Sequence, residues 1–489
     1  MKDNENLRDT EQKPKRSVPS VSIGARSFLT VLLILGLLLV ISGLLSYVIP
    51  QGSFALDENG VIIPDSYVEG EIEGIAIRRV ITAPVRVFFS EDALTISMIC
   101  VFLLIMSGVF NLLEKTDGTE VFIGRLMRRF AKRGAAVVCI CVLIFMLFGS
   151  FFGMFEELVT LLPLIILFML SLGMDTMTGL GACLLAACFG FAAAITNPFS
   201  VGLAAERAGV SLQSGMWLRI LFFVITYLTL CAFLLIHIKR IKKNPMRSLS
   251  YEIDQIKRRE YSAPSVTDDR TPRTNRIFRV FAIFFAVQSV ILIAIASIRS
   301  ISGLAIPILS VTMLVGGIIA GLLVCEEKSD TFRLIAQGAI SMLPAIVMIA
   351  VASSIKLVMT ESGIIDTIMH YIISMLDGKS KLVTILLVYL LILILQVFIG
   401  SSSAKIMLVM PIIVPVCESV GISPEMVILV YCMADGFTDV ILPTNPVLLV
   451  GLSMANVSYG KWFRWTWKLQ AIVLLLTVLV LWFATGIGY

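Results

Sequence analysis

Apolar residues occur in blocks of about twenty along nearly the whole chain, the length that crosses roughly 30 Å of bilayer hydrocarbon as a helix. Short polar segments separate the blocks. The pattern predicts membrane-spanning helices at 27–49, 92–114, 215–238, 277–298, 303–324, 338–360 and 468–488. Two longer apolar segments, 176–207 and 423–457, carry polar interruptions.

Two further apolar regions, 134–173 and 380–418, each hold two apolar runs around a tip rich in glycine and serine. The tips are GSFFG at 149–153 and GSSSA at 400–404. Each region can form two spans or one re-entrant hairpin. The first arm, 135–148, corresponds to about 21 Å of helix, which is too short to cross comfortably. We therefore predict a re-entrant hairpin in the first region and, by analogy, in the second.

Composition excludes an ordinary soluble protein, because 58% of the 489 residues are hydrophobic, 15% are charged and the mean hydropathy is +0.95. The net charge of +5 comes from basic residues in loops that flank apolar segments. That distribution predicts membrane lipid, not nucleic acid, as the partner of the basic residues. The cysteines lie in or beside apolar segments without metal-site spacing, so we expect no cofactor.

Lysine and arginine concentrate in alternate loops. With both hairpins re-entrant, the basic segments fall on one side of the membrane: 1–26, 115–134, 239–276, 325–337 and 458–468. The opposite loops are acidic or carry few charges, notably 51–91. The positive-inside rule then predicts a multi-pass protein with its N-terminus in the cytoplasm and its C-terminus outside.

The two halves of the chain share features at an offset of 248 residues, pairing Pro163 with Pro411, TNP at 196–198 with TNP at 444–446, and Trp217 with Trp465. An odd number of predicted crossings separates the spans 92–114 and 338–360, so the second copy is predicted to be inverted. Inverted repeats with hairpins and broken helices are typical of secondary transporters, whose binding site lies between the copies.

The predicted fold is an all-α polytopic membrane protein with inverted repeats, about nine transmembrane helices, two re-entrant hairpins and two helices broken at TNP. Its predicted parts are a cytoplasmic tail (1–26), a first transmembrane repeat (27–238), a basic cytoplasmic loop (239–276), and an extra span with the second repeat (277–489).

The Thr-Asn-Pro sequences interrupt two otherwise apolar segments. Pro198 and Pro446 lack an N–H group and clash with the carbonyl four residues earlier, so each breaks its helix. Such breaks persist in a bilayer only where protein, water or a ligand supplies hydrogen-bond partners. Freed carbonyls suit Na⁺, and the N-terminus of the next half-helix suits a carboxylate. For a single Asn-Pro a packing kink is the favoured explanation, but duplication at equal spacing, each copy downstream of a polar hairpin tip, favours a binding site.

Ionisable residues occur inside the predicted membrane segments, where each charge costs roughly 2.5 to 3.5 kcal/mol. Glu156 and Glu157 follow the first hairpin tip, and Lys405 follows the second. Asp435 and Asp439 lie one helical turn apart before the second TNP. Intramembrane charges are by default functional or paired with one another.

Two interpretations of these charges stay open. Lys405 can form a structural ion pair with one of the acids, or the charges can recognise a substrate ammonium, bind Na⁺ or take up a proton. Asp439 is the first candidate because about 7.5 Å of helix separates it from Thr444. Asp435 is expected nearer the outer surface and solvated.

The candidate substrate-binding residues are Thr196, Asn197, Thr444, Asn445, Ser401, Ser402, Ser403, Glu156, Glu157, Lys405 and Asp439. The candidate Na⁺ ligands among them are Thr196, Asn197, Thr444, Asn445 and Asp439.

No catalytic residue is predicted. The GSSSA tip lacks a Gly-x-Ser-Gly pattern and a nearby intramembrane histidine that could activate a serine, which disfavours an intramembrane hydrolase. A channel is also disfavoured, because no repeated filter loop or ring of like charges is present.

Four motifs carry a family resemblance: IPQGSF after the first span, GMFEE with Pro163, TNPFSVGLA, and TNPVLLVGLSMANVSYGKWFRW. In these motifs and their order the chain resembles members of the YfcC/C4-dicarboxylate anaerobic carrier (DcuC-like) family, within the ion transporter superfamily. The similarity covers nearly the whole chain apart from the tail and the 239–276 loop.

The resemblance implies a homodimer in the bacterial cytoplasmic (inner) membrane. It also implies a scaffold domain and a transport domain in each protomer, with cation-coupled, elevator-like carriage of a small carboxylate-bearing solute. Similar proteins are assigned to dicarboxylates or to amino acids. The excess of acids over Lys405 favours an amino acid over a C4-dicarboxylate, with Na⁺ expected as the coupling ion and H⁺ as the alternative.

Overall fold

A computed structural model describes residues 25–489 except 56–62, 64–65, 119–120, 122–124, 126–133, 157, 262–270, 298–303 and 377. Helices account for nearly all regular structure in this part of the chain. Two short antiparallel strands, β1 (Gly52–Ser53) and β2 (Val68–Glu69), pair Gly52 with Glu69.

The first half of the chain forms helices α1 to α8. Their bounds are α1 Ala25–Leu45, α2 Ile77–Arg86, α3 Ala93–Lys115, α4 Gly134–Phe152, α5 Leu162–Ser171, α6 Thr176–Ala192, α7 Leu203–Arg207 and α8 Met216–Lys243. Helix α6 contains a π-helical turn at Gly181–Leu185, and another π turn, Pro198–Gly202, leads into α7. Short 3₁₀ turns lie at Val87–Phe89 and Leu158–Leu161.

The second half forms helices α9 to α19. Their bounds are α9 Tyr251–Tyr261, α10 Pro272–Ser297, α11 Ala305–Val324, α12 Lys328–Ser341, α13 Leu343–Glu361, α14 Ile364–Ser374, α15 Lys381–Phe398, α16 Ser402–Ser419, α17 Pro424–Asp435, α18 Pro446–Ala455 and α19 Tyr459–Gly486. 3₁₀ turns lie at Pro245–Arg247 and Phe437–Val440.

Within the described residues, ten helices are long and apolar enough to cross a membrane, which confirms a multi-pass membrane protein. Six of the seven predicted spans overlap one helix each, and the seventh, 338–360, begins in α12 and continues in α13. The ten helices include α4, α15 and α16, which were predicted to be arms of the two hairpins. The nine predicted crossings leave these arms out and include the two broken helices.

Three details of the predicted topology are wrong. Helix α4 has 19 residues, about 28 Å at the helical rise, so its length does not exclude a crossing. Most of the predicted loop 325–337 is helical in α12, and most of 458–468 belongs to α19. The re-entrant placement of the hairpins stays a prediction.

The two broken helices have matching bounds. Helix α6 spans 176–192, and α17 with the following 3₁₀ turn spans 424–440, which is the same length at the offset of 248. After each break, helical structure restarts at Pro198 in the first copy and at Pro446 in the second. The proline occupies the first helical turn in both, where its missing N–H group needs no partner.

Equivalent residues of the two copies contact each other at the centre of the molecule. The rings of Phe189 and Phe437, which are 248 positions apart, pack edge to face with centroids 5.1 Å apart. The Cys188 thiol donates to the carbonyl of Gly436, its own counterpart, at 2.9 Å. Such contacts occur where a pseudo-two-fold axis relates two copies.

Helix α9 contacts one end of both broken helices. The Asp254 carboxylate accepts from the backbone N–H of Thr176, at the start of α6, at 3.1 Å. The Lys257 ammonium donates to the carbonyl of Ala455, at the end of α18, at 3.0 Å. The first broken helix therefore begins on the side of the molecule where the second one ends.

The opposite side shows the reverse arrangement. Ser214, after the end of α7, donates to the carboxylate of Glu425 at the start of α17 at 2.7 Å. The hydroxyl of Tyr489 donates to the carbonyl of Gly215 on the same side at 2.6 Å. The broken helices therefore run in opposite directions, as the inverted repeat predicts.

The helices divide into two packed groups. Helices α1 to α3 and α10 to α13 form the first helix group, and α4 to α8 with α15 to α19 form the second helix group. In the first group, α3 and α12 cross closely where Gly338 lies against Ser107. Glycine permits this approach, because a Cβ atom at position 338 would lie 2.4 Å from the carbonyl oxygen of Ser107. The groups meet mainly where α13 packs against α18.

Candidate functional site

The first break is closed by the tip of the first hairpin. The backbone N–H groups of Ile195, Thr196 and Asn197 all donate to the carbonyl of Ser150, at 3.1, 3.2 and 3.0 Å. The Ser150 hydroxyl donates in turn to the carbonyl of Ala193 at 2.8 Å. Non-helical backbone at membrane depth is thus supplied with protein partners.

Asn197 caps the helix that restarts after the first break. Its Oδ1 accepts from the N–H of Phe199 at 2.9 Å, and its side chain is fully buried. Its Nδ2 group has no hydrogen-bond partner among the described residues. Gly153 lies against it with a φ of +70°, and a Cβ atom there would be 2.2 Å from Asn197 Oδ1. Thr196 is half-buried and donates to the carbonyl of Phe151 at 3.3 Å.

The second break carries a carboxylate. Asn445 Oδ1 accepts from the N–H groups of Val447 and Leu448 at 2.9 and 3.3 Å, and its Nδ2 donates to Asp439 Oδ1 at 2.8 Å. Gln396, near the end of α15, donates to the same carboxylate oxygen. The 3₁₀ turn replaces the continuous helix assumed for this segment, so Asp439 touches the break directly instead of lying a helical turn away.

The asparagines change which groups the breaks can offer to a ligand. The first N–H groups of the restarted helices were expected to face a carboxylate, but the Asn197 and Asn445 side chains cap them. That expectation is wrong in detail, because asparagine is a preferred N-cap residue. Among the described residues near the two breaks, the buried side-chain atoms without a hydrogen-bond partner include Asn197 Nδ2, Ser200 Oγ, Gln396 Oε1, Thr438 Oγ1 and Thr444 Oγ1.

Lys405 forms an ion pair with Asp435. The two side chains are 0% and 1% exposed, so both charges are removed from solvent. The expectation that Asp435 is solvated is wrong, because α17 ends inside the second helix group and not at a surface. The pair joins the first turn of α16 to the end of α17, and both of its charges also act on Asp439.

The remaining candidates lie around these two breaks. Glu156 and Pro446 line a narrow gap between the two helix groups, together with apolar side chains of α3 and α13. Glu157 lies outside the described residues. Ser401 caps α16, Ser402 lies 3.4 Å from the hydroxyl of Tyr431, and Ser403 is half-buried on the same turn.

The structure therefore brings Asp439 and Asn445 into contact, and separately brings Thr196 and Asn197 to the first hairpin tip. It also brings Lys405 into an ion pair with Asp435. Each restarted segment packs against the opposite hairpin, since the π turn 198–202 contacts α16 and α18 contacts α5.

Sequence reasoning missed two residues of these breaks. Gln396 is a single amide within the apolar run LLILILQVFI, a signal that could have identified it. Ser150 was recognised only as part of a tip sequence, and its backbone role depends on tertiary contacts that no motif reports. Within the described residues, no group of three or more His, Cys, Asp and Glu side chains could hold a metal ion.

A second polar cluster lies at the start of α6. Asp175 accepts from His237 at 2.8 Å, from Ser248 at 2.6 Å and from Thr178. Burial alone would raise the pKa of Asp175, but His237 and these hydrogen bonds outweigh burial, so the pKa lies below its ordinary value of 3.8. Trp465 of the second copy donates to the other ring nitrogen of His237 at 3.1 Å.

Comparisons with known proteins identify relatives of this chain. Residues 27–486 match the sequence model of the DcuC family, described as C4-dicarboxylate anaerobic carrier. The chain is 25% identical over 402 residues to an Escherichia coli (strain K12) protein described as "Putative basic amino acid antiporter YfcC", covering 80% of this chain and 78% of that protein. It is 27% identical over 378 residues to an uncharacterized protein of Haemophilus influenzae, covering 77% of this chain and 70% of that protein.

Among solved structures, the YdaH transporter of Alcanivorax borkumensis aligns with a TM-score of 0.41 and 18% identity, covering 94% of this chain and 98% of that chain. The family match spans nearly all of the chain, and it identifies a transporter and not an enzyme. The chain belongs to the C4-dicarboxylate anaerobic carrier family of membrane transporters.

Proposed function

We propose that this protein is a secondary active transporter that exchanges amino acids, with basic amino acids favoured, at a site between the two helix breaks. The observation that carries the proposal is a set of buried polar atoms without partners at both breaks, next to the Asp439 carboxylate. Buried unpaired polar groups are rare in folded proteins and are expected where a ligand binds. The E. coli relative's printed description favours the same solute class.

The two breaks suit opposite ends of an amino acid. At the first break, the buried Nδ2 group of Asn197 is a donor that can receive the solute carboxylate. At the second break, Asp439 and the unpaired oxygens of Gln396 and Thr444 are acceptors that can receive an ammonium or guanidinium group. A carboxylate-bearing solute with a positive group satisfies both breaks at once.

An elevator-like movement of the second helix group against the first group would carry this site across the bilayer. The division of the helices into two packed groups, with both breaks in the second group, supports the movement. We propose Na⁺ as the coupling ion, with Thr196, Asn197, Thr444, Asn445 and Asp439 as its candidate ligands, and H⁺ as the alternative. We further propose a homodimer in the bacterial inner membrane, with a cytoplasmic N-terminus and the C-terminus outside.

A C4-dicarboxylate is the second candidate solute, because it is the solute in the printed description of the family. Two carboxylates need positive charge or several donors. Lys405 is buried at the second break, but it is already paired with Asp435. The geometry of the breaks therefore favours the amino acid.

Exchange in proteoliposomes tests the proposal. Vesicles loaded with arginine should take up labelled arginine from outside, and succinate should neither replace the internal arginine nor inhibit uptake. Asp439→Asn should abolish the exchange, whereas Asp330→Asn, at a partly exposed acid in the first helix group, should leave it unchanged. Succinate exchange without arginine exchange would establish the dicarboxylate instead. Adding or omitting Na⁺ on one side then tests the coupling ion.

A further inference from the structure

The acidic and basic side chains around the second break form one buried cluster. Lys405 and Asp435 are in direct contact, and both charges act on Asp439, whose hydrogen-bond partners are the neutral amides of Gln396 and Asn445. All three charged side chains are at most 6% exposed. Glu156 lines the gap between the helix groups and is only half-buried.

This cluster has an unequal count of charges. With two carboxylates and one ammonium, its formal charge is −1. Lys405 compensates Asp435, so Asp439 is left as the carboxylate without a positive partner among the described residues. A buried charge without a partner is strongly unfavourable, and one additional positive charge restores balance. The cluster is therefore built to receive a net charge of +1.

The sequence of the first copy lacks the two aspartates. The positions equivalent to Asp435 and Asp439 are Ala187 and Phe191, both of them apolar. The position equivalent to Lys405 is Glu157, an acid. The combination of two aspartates and one lysine is thus specific to the second copy of the sequence.

We propose that the net charge of −1 on Lys405, Asp435 and Asp439 selects the solute by its own net charge. This inference rests on the proposed amino acid exchange and adds its selectivity. When no Na⁺ occupies Asp439, a basic amino acid, with its net charge of +1, leaves the loaded site neutral. A zwitterionic amino acid has no net charge, so it leaves one buried negative charge uncompensated and is disfavoured. Lys405 and Asp435 act as positioning residues, because they set the charge that Asp439 presents.

Arginine and citrulline are suitable probes, since citrulline has nearly the same shape as arginine and carries no net charge. Their dissociation constants are measured on purified protein in lipid nanodiscs. The unmodified protein should prefer arginine by roughly 30-fold or more, the range seen when a buried charge loses its partner. Asp435→Asn makes the cluster neutral, because Lys405 is then free to pair with Asp439. This variant should prefer citrulline.

The double variant Lys405→Met/Asp435→Asn is the decisive control. It removes both members of the ion pair and returns the cluster to −1, so the preference for arginine should return. A merely structural role of the pair predicts that the double variant is at least as impaired as the single one. The measured quantity is the ratio of the affinities for arginine and citrulline in one protein sample, so a partial loss of folded protein does not change it.

The outcomes separate this inference from the function on which it rests. If the unmodified protein binds neither arginine nor citrulline, the proposed amino acid exchange is wrong. If it binds them but the preference is the same in the Asp435→Asn variant, charge selection by this cluster is wrong. Reversal in the single variant and restoration in the double variant would support it.

Discussion

The two helix breaks occupy equivalent positions in the repeat, yet different groups stabilise them. The first is closed by backbone, since one carbonyl, that of Ser150, accepts three N–H groups. The second is held by side chains, with Asp439 at its centre. Both use an asparagine to cap the helix that follows. The sequence shared by the two copies therefore accounts for the broken backbone, and the charge lies at positions where the copies differ.

Packing beside the breaks differs in the same direction. In the first copy, α4 and α6 approach closely because Gly149 of α4 and Gly190 of α6 have no side chain. A Cβ atom added to either glycine would lie 2.2 Å from a backbone carbonyl oxygen of the other helix. Their counterparts in the second copy are Val397 and Thr438, which are larger. The helices beside the first break are thus closely packed, whereas polar side chains contact one another at the second break.

The largest effect is expected from removing the charge of the second break. Asp439→Asn keeps the shape of the side chain but loses the carboxylate that Asn445 and Gln396 hold. We expect the apparent affinity for arginine to fall about 100-fold, within the range for a buried charge pair. Arginine binding to the purified protein in lipid nanodiscs measures this affinity. Phe191→Leu, at the equivalent position of the first copy, should change affinity less than about threefold if binding charge resides only in the second break.

The next effect concerns the two hairpin tips. Gly153 has a φ of +70° and lies on Asn197, whereas Gly400 has open space around its Cβ position. Gly153→Ala should destabilise the first break by about 1 to 2 kcal/mol from φ alone, with the clash in addition. We expect a lower unfolding temperature and slower exchange for Gly153→Ala. Equal behaviour of Gly400→Ala would contradict the placement of the first tip against its break.

The asparagine caps allow a finer comparison. Replacing Asn197 or Asn445 by alanine removes an N-cap, which costs about 1 kcal/mol. Asn445→Ala also removes the hydrogen bond to Asp439, so it should raise the KM for arginine in addition to lowering stability. Unfolding curves and exchange kinetics of both variants separate the two effects. Indistinguishable KM values would show that Asn445 does not position the carboxylate.

The smallest effect is a pH dependence limited to one copy. Asp175 caps α6 in the first copy and Ser423 caps α17 at the equivalent position of the second. Because the folded-state pKa of Asp175 lies below 3.8, its stabilisation is present above that pH and is lost as the pH falls through the folded-state value. The unfolding temperature should therefore fall less steeply below about pH 4 in Asp175→Asn than in the unmodified protein. Ser423→Ala removes no titrating group, so it should change that pH dependence much less than Asp175→Asn does.

The helical membrane fold and the repeat could be predicted from the sequence, because apolar blocks and prolines determine where helices lie and break through contacts close in the chain. Pro198 and Pro446 start their helices in the structure, as their missing N–H groups require. The partners of the broken backbone could not be predicted in the same way. Ser150 and Gln396 reach the breaks only through tertiary packing, and Asp435 looked solvated because its position along the helix was known but its neighbours were not.

The central claim is that a solute bridges the two unlike breaks, with its positive group at Asp439 and its carboxylate at Asn197. A cryo-electron microscopy structure in lipid nanodiscs with saturating arginine tests this most directly. The predicted result is ligand density with a nitrogen within about 3 Å of an Asp439 oxygen and a carboxylate oxygen within about 3 Å of Asn197 Nδ2. Arginine bound elsewhere, with Asn197 Nδ2 still unpaired and Asp439 held only by Gln396 and Asn445, would contradict it.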